Sequence, residues 1–204
     1  MKYENKLREW ETAAGSIVGV DGGIDAVRLS LYQEMDAGDL PDLVLPLTVM
    51  NQNKRLIYEP EAVVTEDAHK EHEGEYSMRF RVTLRSLHAI AKMARLLKPW
   101  ENGLFAWQLL SHKVLRYAVG IFQILIFIVN VLLIGYAPLF RSLLAAQILF
   151  YFLAGSGFML KKGSTLHPAF YFPYYFCLVN AASLAAIIKS FQGKSAIVWN
   201  PRRG

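Results

Sequence analysis

Three stretches in the second half of the chain carry no charged side chain: Tyr117 to Phe140, Ser142 to Leu160 and Phe170 to Ile188. Each approaches the length that a helix needs to cross a hydrocarbon core of roughly 30 Å, where backbone polar groups must be satisfied within the segment itself. Hydrophobic residues make up 53% of the 204, yet the charges gather in the first hundred residues and the tail. A charged part followed by a membrane module of about three helices is therefore expected. Gln123, Asn130, Gln147 and Asn180 lie inside the apolar runs and read as helix–helix hydrogen-bonding residues, or as the lining of a sugar or lipid path. The runs carry no ionisable group at mid-depth, which argues against a coupled transporter.

Lys161 and Lys162 follow the second run, and the positive-inside rule assigns that loop to the cytoplasm together with the first hundred residues. Three crossings would leave the tail outside, whereas Lys189, Lys194, Arg202 and Arg203 argue for a cytoplasmic tail. The third run, with Pro173 and tyrosines near its start, is open to an interfacial or re-entrant reading. The net charge of +5 sits largely beside apolar runs, so it reads as membrane-flanking charge and not as a nucleic-acid surface. Cys177 is the single cysteine, which excludes an internal disulfide and a thiolate metal cluster and leaves it as apolar packing. The opening MKYENKLREWE is charged and lacks the apolar centre of a signal peptide.

Along the charged part, Leu7, Trp10 and Ala14 at helical spacing predict a helix over residues 1 to about 14. In GSIVGVDGGIDAVR, glycines punctuate two alternating stretches, Ile17 to Val20 and Ile24 to Arg28, as in a hairpin. Asp42 opens an apolar segment, Leu43 to Val49, short enough to pack as one helix under a sheet, and a strand Leu56-Ile57-Tyr58 is expected after it. At a helix N-terminus the free N–H groups and the dipole favour a carboxylate, and a carboxylate can take a proton from a hydroxyl. His69 and His72 stand among acids in DAHKEHEGE and read as a solvated helix start, a metal site being the weaker alternative. From Met78 to Lys98, Arg85, His88, Lys92 and Arg95 share one helical face. Such a helix suits a membrane surface, or packs on the charged part with its cations in water. Trp100, Trp107, His112 and Lys113 mix aromatic and cationic character, which fits the bilayer interface.

Several of these segments carry a common pattern: Asp-Leu-Val-Leu-Pro from Asp42, then Arg-x-x-Tyr-Glu-Pro-x-Ala from Arg55, Leu-Ser-His-Lys-Val-Leu-Arg from Leu110, and Trp-Asn-Pro-Arg-Arg near the end. The pattern resembles the acceptor-side, C-terminal half of a membrane-bound family 2 glycosyltransferase, the group of the cellulose and hyaluronan synthases. The resemblance implies an α/β fold, a partial GT-A-like half domain, followed by an α-helical transmembrane module. Its parts would be residues 1–76 as the half domain, 77–113 as amphipathic or interfacial helices, 114–190 as membrane helices and 191–204 as a basic tail. It also implies that Asp42 is the base for the acceptor hydroxyl. Asp21 and Arg28, in the glycine-punctuated segment similar to one lining the family's sugar site, would face the sugars, and they are equally plausible as salt-bridge residues. Arg79 and Arg81 stand where the family has Gln-x-x-Arg-Trp, a position from which guanidinium groups can match a diphosphate. Thr65-Glu66-Asp67 imitates another family motif but lies beyond the expected strand, and reads as a coincidence.

The implied activity is inverting transfer of a sugar from a nucleotide-sugar to a glycan or lipid acceptor by an enzyme of the cytoplasmic or inner membrane, its catalytic part facing the cytoplasm. A divalent metal, Mg2+ or Mn2+, would hold the donor's diphosphate. The Asp-x-Asp that binds it in the family does not occur in these residues, so the metal and donor are expected to belong to a separate donor-binding half. The alternative is a non-catalytic accessory or scaffolding subunit derived from such an enzyme.

Overall fold

The computed structural model describes residues 2–20, 23–65, 74–160 and 166–193, and every regular element among them is helical. In chain order these are α1 (Lys2–Ala14), α2 (Pro41–Asn51), α3 (Glu75–Lys92), α4 (Pro99–Leu109), α5 (Val119–Leu132), α6 (Pro138–Leu160) and α7 (Pro168–Phe191). Short 3-10 turns cover Leu29–Leu31 and Ala94–Leu97, and a π-helical turn, Leu110–Leu115, continues α4.

The expected α/β half domain is therefore corrected: no strand occurs among the described residues. The segments read as strands are extended, but their backbone partners come from elsewhere than a neighbouring strand. Ile17 N–H reaches the Leu56 carbonyl at 3.3 Å, and that is the one backbone bond recorded between the two stretches. Leu56 N–H donates instead to Ser16 Oγ (3.0 Å), and Tyr58 N–H to Thr12 Oγ1 (2.9 Å). Side-chain hydroxyls thus satisfy the backbone that a sheet would have paired. Nor is there a sheet face to bury Ile24 and Ile57, which stay 62% and 56% exposed.

The core gathers around α2. Leu43, Val44 and Leu47 pack with Val18 of the extended segment, Ala89 and Ile90 at the end of α3, Leu96 of the following turn, and Phe105 and Leu109 of α4. Pro41 starts α2 where its missing N–H costs nothing. Pro46, inside the helix and buried, removes the N–H that would have bonded the Asp42 carbonyl one turn back. Val20 N–H fills that place, donating to the Asp42 carbonyl at 3.3 Å. The loop is thereby fastened to the first turn of the helix.

Helices α6 and α7 are each long and apolar enough to cross a membrane, and a third span arises if α4 with its π-helical turn is joined to α5 across a 69° bend. The first apolar run ends sooner than its composition suggests: α5 has 14 residues, about 21 Å of helix, before the turn at Leu133. Asn130 Nδ2 donates to Gln147 Oε1 (3.2 Å), while Gln147 Nε2 donates to the Gln123 carbonyl (3.2 Å) and Tyr151 Oη (3.0 Å). These polar groups tie α5 to α6, the helix–helix role given by their sequence.

Helix α6 meets α7 at Gly157, where an added Cβ would lie 2.7 Å from the Phe170 carbonyl oxygen and 2.9 Å from Tyr174 Cβ. Backbone cannot give way there as a side-chain tip can. Gly157→Ala is expected to cost about 1–3 kcal/mol, read as a lower Tm in detergent. Gly155→Ala, which has nothing within 4 Å of the added carbon, should leave Tm unchanged.

Helix α3 lies against α7 as well as against the core. Arg79 Nε donates to Glu75 Oε1 (2.7 Å) and its Nη2 to Tyr175 Oη (3.0 Å), and that hydroxyl donates to Glu75 Oε1 (2.7 Å). Farther along, Thr83 Oγ1 is 3.4 Å from Ser183 Oγ. Lys92 pairs with Asp36 and Asp39, and Arg95 Nη2 donates to the Asn51 carbonyl, so the last cations of the basic face bind the charged part.

Candidate functional site: the Asp42 corner

Asp42 stands in the first turn of α2, half-buried, and no hydrogen bond or ion pair holds its carboxylate among the described residues. Its backbone is fixed by the bond from Val20, so the side chain is placed by the main chain and left uncommitted. Next to it, an added Cβ on Gly19 would lie 3.7 Å from the Asp42 carbonyl oxygen and 3.5 Å from Lys113 Nζ. The glycine thus admits the lysine ammonium to the corner where the loop meets the helix. Lys113 is brought there by the π-helical turn, whose extra residue per turn rotates successive side chains away from an α-helical register.

The same turn aims His112 at α1. His112 Nδ1 is 2.9 Å from Glu11 Oε1, at ion-pair distance but without the alignment of a hydrogen bond. Glu11 is 8% exposed. Burial pushes its carboxyl above the ordinary range, and His112 and Arg8 offset part of that rise. Folding therefore shifts the carboxyl toward its protonated form relative to the unfolded chain, and Glu11's contribution to stability is lost as pH rises from 4.5 through its raised folded value. Glu11→Gln is expected to flatten that decline, which thermal unfolding across the mildly acidic to neutral range will show.

The other residues proposed from sequence do not gather at this corner. Asp21 lies outside the described residues, as do Glu66, Asp67, His69, His72, Lys161, Lys162 and the basic tail from Lys194. Arg28 is exposed on the loop before the first 3-10 turn. Arg79 is committed to Glu75 and Tyr175, and ten residues separate it from Ala89 of the core, about 15 Å along α3. Arg81 is half-buried on the same stretch of helix, with no partner among the described residues. Gly19, Lys113 and the Glu11–His112 pair were not picked out as site residues. The signals for them were Pro46, which frees a carbonyl, and two cationic residues interrupting the apolar approach to the membrane.

The chemistry available is proton transfer at Asp42, with a cation beside its main chain. No three His, Cys, Asp or Glu side chains converge among the described residues, and no Asp-x-Asp occurs in the sequence. Compared with protein-family models, curated proteins and solved structures, the chain matches none.

Proposed function

We propose that this chain is the acceptor-side, membrane-bound portion of an inverting sugar transferase, with Asp42 as the base. The observation that carries the reading is a half-buried carboxylate with no partner among the described residues, fixed through its own backbone on the first turn of a buried helix. The other carboxylates that are buried or half-buried among the described residues are tied up: Glu9 holds Lys6, Glu11 faces His112, Asp39 holds Lys92 and Glu75 holds Arg79. In the proposed step, Asp42 takes the proton of an acceptor hydroxyl as that oxygen bonds to the anomeric carbon. The bond from that carbon to a nucleoside diphosphate breaks, and the diphosphate leaves with the electron pair. Arg79, held by Glu75 and Tyr175, is assigned to fastening α3. Residues that hold the donor are proposed to come from further polypeptide.

The test is transfer of labelled sugar from a panel of nucleotide-sugars into lipid or glycan, using membranes that contain the full chain with its donor-binding partner. Activity that disappears with Asp42→Asn and persists with Asp36→Asn supports the assignment. Equal activity in both variants overturns it, and the chain is then an accessory subunit.

A further inference from the structure

Helices α3 and α7 run side by side in the same direction. Glu75 meets Tyr175, and eight residues on in each helix Thr83 meets Ser183. Along that shared length α3 carries Glu75, Arg79, Arg81 and Arg85, and Arg85 buries Nε and Nη2 without a partner. A helix crossing the hydrocarbon core cannot keep such a neighbour, because charged groups at that depth are strongly disfavoured. The start of α7 has a different preference: every residue from 170 to 176 except Pro173 is Phe or Tyr, the composition of the bilayer's interfacial belt. Phe172 and Phe191, near the two ends of α7, are 68% and 89% exposed, free to enter lipid.

We propose that α3 and α7 lie together in the headgroup region of an anionic bilayer, on the side of residues 1–100, and that α7 does not cross. The lipid surface supplies anionic phosphates for Arg81 and Lys189, and the upper acyl-chain carbons below the headgroups for the exposed phenylalanines. The crossing segments are then the bent α4–α5 pair and α6. Two crossings return the chain to its starting side, and Lys161, Lys162, Lys189, Arg202 and Arg203 all fall on that side. Three crossings would divide them. This arrangement is independent of any role for Asp42.

Single cysteines at Glu4, Tyr136 and Gln192 in a Cys177→Ser chain, treated with a membrane-impermeant maleimide in oriented vesicles, test the arrangement. Glu4→Cys and Gln192→Cys are expected to label from one face and Tyr136→Cys from the other. Labelling of Gln192→Cys from the face opposite Glu4→Cys overturns the proposal, as does labelling of all three from one face. Depth is tested separately with a nitroxide on Ala181→Cys, an exposed position near the middle of α7. A headgroup-level depth is expected, and a position at the bilayer centre overturns the proposal.

Discussion

Replacing Asp42 with asparagine is expected to lower sugar transfer by roughly 10²–10⁴-fold, the range for losing a general base, with little change in stability or membrane insertion. The separation follows from how the residue is held. Its carboxylate has no partner among the described residues, so the amide orphans nothing. The fixed contact is the backbone bond from Val20, which a side-chain change does not touch. What the fold loses is the favourable pairing of a carboxylate with the helix N-terminus, about 0.3–1 kcal/mol. Rate measurements and a thermal melt on the same preparation decide the matter. A variant that lost activity only in proportion to lost folded protein would assign Asp42 a structural part.

Leu47→Ala carries the largest expected effect on folding. Leu47 is completely shielded from solvent, and it sits in α2 among Val18, Ala89, Leu96 and Leu109. Removing its side chain leaves a cavity bounded by several elements that cannot collapse together, with an expected cost of about 2–5 kcal/mol. Denaturant unfolding of the protein in micelles measures it. A loss below about 1 kcal/mol would show that α2 is not the centre of the core. Because α2 also presents Asp42, transfer in this variant should fall with the folded fraction and recover at lower temperature, unlike Asp42→Asn.

The helices of the charged part were legible because their cues are local. Leu7, Trp10 and Ala14 repeat at helical spacing, and Asp42 does stand in the first turn of a helix that begins one residue earlier. The α/β expectation failed where the cue was alternation alone. Ile17 to Val20 and Leu56 to Tyr58 have the composition of strands, but a strand is completed by a neighbour, and here Ser16 and Thr12 hydroxyls and the Asp42 carbonyl take the backbone bonds. The Glu11–His112 pair joins residues from opposite ends of the charged part, and its geometry depends on a π-helical turn that no spacing announces. The pairing of α3 with α7 was hidden for a related reason. Tyr175 and Ser183 look like scattered polar residues in an apolar run until the facing Glu75 and Thr83 give them a common direction.

Pro46 leaves one rung of α2 to be supplied from outside the helix, and Val20 supplies it. The consequence concerns the order of events. Until residues 16–20 dock, the first turn of α2 lacks that bond and Asp42 has no fixed orientation. The Asp42 corner is therefore complete only when the loop is docked, since the loop supplies the bond that the first turn lacks.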